Sequence, residues 1–366
     1  NASTGVLTAL TGSPFDTTVS NPIAYATDET GRLFMANYAN NQLRVFTTSF
    51  GIPTAVTNSP FTSGLTSAVH GVLHPRGFYM VADRDGNRVG VYQIANSGAA
   101  TTLTAVSGSP FASGGTFTDA LALNHDGTFL FAANGNSRNL TTFEVFSTGS
   151  LTSLSVQPSD TLGSTGRITG LAYMPPMITP PAGGLLYVLN DDTAGNKIFG
   201  FAVNETNGKL TLISGFPIAT GGNGSGSPVS ERVVVDRLNG RLYAINDVSN
   251  TVSAFTINPT TGSLTAMVFS PITLGAGNWY TISVHPSGSP LVVGDGAVRQ
   301  FASFNITATG ATAAVGSPFT TGVVGPYSAT FSQDGSYVYT GDGLGTAFAG
   351  FNVNASTGVL TALDGV

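Results

Sequence analysis

An all-β chain, folded as a seven-bladed β-propeller with four-stranded blades and a surplus terminal strand, is what three features of the sequence point to. The first is a segment of the L-T-A-L type whose threonine recurs at Thr8, Thr54, Thr104, Thr152, Thr211, Thr265, Thr312 and Thr361, at spacings of 46 to 59 residues. Eight markers enclose seven units, and a period near 50 is that of a propeller blade, which buries its faces only by stacking on its neighbours. The second is composition: 9% of residues are charged, Gly numbers 47, and Thr, Ser and Asn are abundant, so helices are disfavoured. The third is that the first ten residues, Asn1 to Leu10, return unchanged as Asn354 to Leu363.

Within a unit the elements follow one another in a fixed order. The marker segment reads as the outermost strand. A Ser-Pro-Phe or a relaxed form of it comes next, as at Ser13-Pro14-Phe15, Ser59-Pro60-Phe61, Ser109-Pro110-Phe111, Phe216-Pro217-Ile218, Ser270-Pro271-Ile272 and Ser317-Pro318-Phe319, degenerating to Gln157-Pro158-Ser159 in the fourth unit. Three short apolar runs then follow, in the first unit Ile23 to Thr27, Leu33 to Asn37 and Leu43 to Thr47. Their first turn ends in glycine, which supplies positive φ, as in His74-Pro75-Arg76-Gly77, Asn124-His125-Asp126-Gly127, His285-Pro286-Ser287-Gly288 and Ser332-Gln333-Asp334-Gly335. The second turn carries an Asx residue, at Asn37, Asp83, Asn134, Asn190, Asn246, Asp295 and Asp342. An aromatic residue repeats in the third run (Phe46, Tyr92, Phe143, Phe201, Phe255, Phe304, Phe351) and reads as blade-to-blade core. Residues 175–184 and 220–230 lengthen the connections of the fourth and fifth units and read as surface loops.

Residues 1–12 read as a terminal strand for ring closure or donation, and residues 13–366 as a single propeller domain. Seven blades offer seven outermost positions, so Val6, Leu7, Thr8, Ala9 and Leu10 compete with Val359, Leu360, Thr361, Ala362 and Leu363 for the last of them. A spare strand that pairs with another copy of the chain would build a homopolymer. The reading that follows is a non-enzymatic, self-assembling fibre or surface-layer subunit, with an adhesive or ligand-binding propeller and a lactonase-like hydrolase as alternatives.

A net charge of -6 with lysine only at Lys197 and Lys209 speaks against nucleic-acid partners. The apolar stretch Met174 to Leu189 is broken by four prolines and gives no membrane span. The absence of cysteine removes thiolate chemistry, and a weakly charged, Thr-rich surface suits an extracellular or cell-surface protein. Glycan acceptors of the N-x-S/T type occur at Asn1, Asn139, Asn204, Asn223, Asn305 and Asn354. No cofactor is expected, because no Gly-rich phosphate loop precedes a helix. No metal is expected either, because one Asx residue per blade spreads oxygen ligands around a ring.

The runs Gly31-Arg32-Leu33-Phe34-Met35-Ala36-Asn37 and Gly240-Arg241-Leu242-Tyr243-Ala244-Ile245-Asn246 resemble those of YVTN-type surface propellers and of lactonase-like propellers related to 6-phosphogluconolactonase. The resemblance covers the whole chain and lies in the blade repeat. It implies the propeller fold and, on the lactonase side, charged side chains near the channel mouth. His70 and Glu231, with Arg232, Arg167 and Asp119, stand in or at the start of innermost strands and are the residues that such an acid, base and anion-binding set would use. The other innermost positions, Ala24, Ala120, Val233, Thr281 and Ser328, are small and uncharged, which favours a ring without chemistry. His74, His125 and His285 fall in the first turn and read as turn braces.

Overall fold

The computed structural model describes residues 15–16, 21–49, 51–157, 162, 165–176, 183–227 and 231–362. Seven antiparallel sheets form the blades of a propeller. The innermost strands are Pro22–Thr27, Ala68–His74, Thr118–Leu123, Arg167–Met174, Val233–Asp236, Trp279–Val284 and Thr330–Phe331. Apolar side chains of successive blades interlock between the sheets. The third-strand aromatics Phe46, Tyr92, Phe143, Phe201, Phe255, Phe304 and Phe351 are all buried there, as their repeat requires.

In six blades the outermost strand is made of two pieces; in blade three Leu151–Gln157 runs along the whole edge. In blade two, Thr102–Ala105 pairs with Ala95–Tyr92, and Phe111–Ala112 then pairs with Val89 and Arg88 along the same edge. The gap between the pieces would leave a third-strand N–H unpaired, and the serine of Ser-Pro-Phe fills it. Ser109 Oγ accepts from Val91 N–H at 2.9 Å, Ser270 Oγ from Ala254 N–H at 3.0 Å and Ser317 Oγ from Ser303 N–H at 2.9 Å. The motif is therefore a splice in the outer strand, and its recurrence follows from that local need.

Ring closure uses both ends of the chain in the last blade. Leu360–Ala362 from the C-terminal end pairs with Val353–Phe351, while Phe15–Asp16 from the N-terminal end pairs with Phe348 and Ala347. The C-terminal copy of the duplicated segment supplies the first piece of the strand, and the Phe15 region, which follows the N-terminal copy in the chain, supplies the second. Val359 and Ala362 pack against the last core and Leu360 is buried in it. Val6 to Leu10 and Leu363 lie outside the described residues. Phe15 stacks on Phe348 with ring centroids 5.3 Å apart, so Phe15→Ala is expected to cost about 2 kcal/mol. A lowered midpoint of urea denaturation checks this; an unchanged midpoint would mean that the closure contributes no stability.

Two local features set the axial channel. In five blades the innermost strand carries a register shift at its start, between Pro22 and Ala24, Ala68 and His70, Thr118 and Ala120, Ile168 and Gly170, and Trp279 and Thr281. Such bulges re-aim side chains. In blade five the strand begins only at Val233, so Glu231 and Arg232 precede it rather than belonging to it, and Glu231 has a left-handed φ of 68°. At the other end, first-turn histidines join consecutive blades. His74 Nε2 meets Gly127 O at 2.7 Å and His285 Nε2 meets Gly335 O at 3.0 Å. Gly127 combines a φ of 75° with this contact; a Cβ there would stand 2.5 Å from His74 Nε2.

The Gly-rich connection into blade five lies down on blade four. Asn196 N–H donates to Gly222 O at 2.8 Å and Gly224 N–H to Asp192 O at 2.9 Å, so it is anchored rather than a free surface loop.

Candidate active site

His70 and Glu231 come from blades two and five and meet across the axis, with His70 Nε2 4.0 Å from Glu231 Oε1. They can do so because Ala24, Ala120, Gly170 and Thr281 occupy the His70 level of other blades and leave the channel open. His70 Nδ1 accepts the Leu121 N–H at 3.2 Å. That bond leaves the ring proton of neutral imidazole on Nε2, the nitrogen facing the carboxyl. Burial lowers the His70 pKa to about 4, so the ring is neutral at pH 7 and the contact is no ion pair.

Burial also pushes the Glu231 carboxyl up to about 7, opposed by the Ala329 N–H at 3.2 Å and the Thr281 hydroxyl at 3.1 Å, both donating to Oε2. Oε1 is left for the axis. The left-handed backbone of Glu231 is an uncommon conformation for a side chain of this size, and such strain gathers where a group must be held in one place. A gap of 4.0 Å exceeds a hydrogen bond yet admits one oxygen atom that touches both groups.

A cavity of about 490 Å³, lined by all seven innermost strands, runs from this pair to the first-turn end of the ring. Pro75, His125, Arg237 and Gln333 stand at its first-turn mouth. Tyr173 in its wall is fixed by Glu205, whose Oε1 takes the tyrosine hydroxyl at 2.7 Å and the Gly184 N–H at 2.6 Å.

Arg232 and Arg167 are not brought to this pair. The left-handed backbone that turns Glu231 to the axis turns Arg232 between blades, where it is fully buried and donates to Asp191 and, at 3.0 Å, to Asp247. Burial raises the Asp191 carboxyl to about 6 against the opposing Arg232 charge. Arg167 donates through Nε to Asp119 Oδ2 at 2.9 Å and through Nη1 to Asn136 at 3.0 Å. Asp119 also receives Nε of Arg84 at 2.6 Å.

The remaining positions are structural or peripheral. Second-turn Asx side chains tie the incoming loop to the turn, as Asp83 Oδ1 does with Thr66 and Ser67 N–H at 3.0 and 2.7 Å. Among the described residues no group of three or more His, Asp or Glu is placed to hold a metal ion. Of the glycan acceptors, Asn204, Asn223 and Asn354 are exposed, while Asn139 and Asn305 are half-buried with their amides bonded to Gly114 O and Thr357 O; Asn1 lies outside the described residues. Sequence reasoning missed Thr281 and the Leu121 and Ala329 N–H groups as partners of the pair. Thr281 had a signal, being the one hydroxyl-bearing threonine at its level; backbone donors leave none.

The family described as lactonase, 7-bladed beta-propeller, matches residues 53–166 and 233–365, about two thirds of the chain. No curated protein sequence matches the chain. Among solved structures, the chain is similar to a periplasmic gluconolactonase of Pseudomonas aeruginosa, with a TM-score of 0.70, 15% identity and 94% of each chain covered. It is similar to a putative 6-phosphogluconolactonase of Bacteroides fragilis, with a TM-score of 0.66, 16% identity and 93% and 92% of the two chains covered. It is also similar to virginiamycin B lyase of Staphylococcus aureus, with a TM-score of 0.60, 11% identity and 94% and 97% covered. At these identities the likeness is one of fold.

The family match overturns the reading of the chain as a non-enzymatic, self-assembling filament subunit joined by donor strands. Of the two copies between which that reading left the donor open, the C-terminal one is spent in its own last blade, where Leu360 is buried. The matched span includes His70 and the closing strand Leu360–Ala362 and leaves out Glu231 and Phe15–Asp16; on it the chain belongs to the lactonase family of seven-bladed β-propellers.

Proposed function

We propose that this protein hydrolyses a lactone at the His70–Glu231 pair. The single observation that carries the reading is the pair itself. A carboxyl raised to about 7 faces a neutral imidazole N–H across 4.0 Å at the inner end of a 490 Å³ cavity. In the reaction that this arrangement serves, Glu231 Oε1 takes a proton from water as the water oxygen bonds to the lactone carbonyl carbon. The His70 Nε2–H donates to the carbonyl oxygen as it gains charge. Collapse of the tetrahedral intermediate breaks the ring C–O bond, and Glu231 returns its proton to the departing alkoxide. The product is a hydroxy acid, whose carboxyl proton is released to solvent. Thr281 and Ala329 hold the carboxylate in place throughout.

Support for the class of substrate comes from the lactonase family and from the gluconolactonase among the similar structures. The latter, being periplasmic, together with the weakly charged, cysteine-free composition, supports action outside the cytoplasm.

Glu231 must be ionised to accept the proton, so kcat/KM for glucono-δ-lactone, corrected for spontaneous opening, is expected to rise about tenfold per pH unit below 7 and to level off above it. His70, with a pKa of about 4, adds no second limb between pH 5 and 8. His70→Ala should lower the plateau by about 100-fold without moving its midpoint greatly. A rate that is flat from pH 5 to 8, or that survives His70→Ala, contradicts the proposal.

A further inference from the structure

We infer that a second site, for a small planar carboxylate, lies around Arg84 at the opposite end of the axis from the cavity. The second turns and incoming loops gather at this end, bringing together Arg84 of blade two, Asp119 of blade three and Arg167 of blade four. Asp119 is fully buried and both its oxygens are occupied, by Nε of Arg84 and by Nε and Nη2 of Arg167. One carboxylate therefore serves two guanidinium groups. The neighbouring Asp85 is exposed and receives the Ser67 hydroxyl.

Arg84 is the member with donors to spare. Its side chain is 8% exposed, yet only Nε is used; its two Nη groups make no hydrogen bond among the described residues. The guanidinium carbon lies 5.8 Å from the Tyr38 ring centroid of blade one and its Nε meets Asp119 of blade three, so the group stands among three blades, and its charge is felt by Tyr327 of blade seven. A free pair of N–H groups on a guanidinium matches a carboxylate in bidentate fashion.

Flat surfaces stand at the same end of the axis. Tyr280 and Tyr327 stack at 4.6 Å between centroids, laid over glycines that make room for them. A Cβ on Gly296 would come within 2.4 Å of Tyr280, and one on Gly343 within 2.1 Å of Tyr327. Phe117 stands at a φ of 60°, a backbone setting that Gly166 and Gly325 fill in other blades, and its ring backs Arg167 at 4.9 Å. Aromatic residues resist that setting, so the place is built against local preference. Guanidinium plus tyrosine faces select an anion that is both planar and flat-tailed, and a tetrahedral phosphate meets only the charge.

Isothermal titration with benzoate tests this, with benzyl alcohol and inorganic phosphate as competitors of the wrong charge and shape. Saturable one-to-one benzoate binding is expected, weakened at least tenfold by Arg84→Lys, which keeps the charge and loses the fork, and also by Gly343→Ala, which displaces Tyr327. Glu231→Gln should leave it unchanged, which keeps this result separate from the fate of the lactonase reading. The proposal is overturned if benzoate does not saturate, if Arg84→Lys binds as wild type does, if benzyl alcohol or phosphate binds as tightly, or if Glu231→Gln abolishes binding.

Discussion

Glu231→Gln is expected to lower kcat/KM for lactone hydrolysis by about 10³-fold and, at the same time, to make the fold more resistant to urea above pH 7. The first effect follows from removing the one group at the axis that accepts a proton near neutrality. The second follows from linkage. An unfolded glutamate titrates near 4.5 and the folded Glu231 near 7, so the native protein binds the proton more tightly and wild-type stability is lost as pH rises through that window. The full loss is about 3 kcal/mol above pH 7, and the amide removes it. His70 acts in the opposite sense: held to about 4 against an ordinary 6.5, it penalises the fold at low pH and releases that penalty as pH rises to 6.5. The two nearly cancel in the wild type between about pH 4.5 and 6.5, and the variant should show the His70 rise unmasked. Equal urea midpoints for wild type and Glu231→Gln at pH 8 would show that the carboxyl is not held at a cost.

Arg232→Met is expected to cost 3 to 5 kcal/mol, the largest loss of stability among single changes at this end of the ring. Arg232 is wholly buried and faces two carboxylates, those of Asp191 and Asp247. Methionine matches much of its volume but leaves both acids without their cation, and one must take up a proton or draw water between blades four and five. Asp247 keeps the Ser225 hydroxyl and N–H, whereas Asp191 keeps less. Arg167→Met should cost less, because Asp119 retains Arg84. Urea denaturation of both variants decides the matter; a loss below about 1 kcal/mol for Arg232→Met would mean that the ion cluster is replaceable by apolar packing.

Much of the fold is legible in the chain because the blade repeats its local needs. The glycine of the first turn and the third-strand aromatics each answer to contacts within one blade or with the next and recur wherever those contacts recur, while the marker threonines, exposed in the described copies, recur with the outer strand they sit on. The split of the outer strand was not legible, since the role of Ser109 or Ser270 depends on which third-strand N–H the gap leaves bare. The closing role of Phe15 was not legible for a related reason: the duplicated segment drew attention to Leu360, whereas the second half of the same strand comes from beyond the N-terminal copy.

The site was legible in part. His70 and Glu231 stood out as charged or titratable residues among Ala24, Ala120 and Thr281, but whether two side chains from blades two and five touch depends on channel width. Arg232 follows Glu231 directly and was grouped with it. The left-handed φ at Glu231, which no residue type there announces, sends the neighbours in opposite directions. Arg84, between Asp83 and Asp85, reads from the sequence as part of a solvated turn, because its partner Asp119 lies in another blade, 35 residues on.

Acid release from glucono-δ-lactone in a pH-stat at pH 7.5, with wild type beside the His70→Ala/Glu231→Gln double variant, tests most directly whether the axial pair hydrolyses lactones. Acid production well above the spontaneous rate in the wild type, and at the spontaneous rate in the double variant, is the predicted result. Equal rates for the two proteins, whether at or above background, would contradict it.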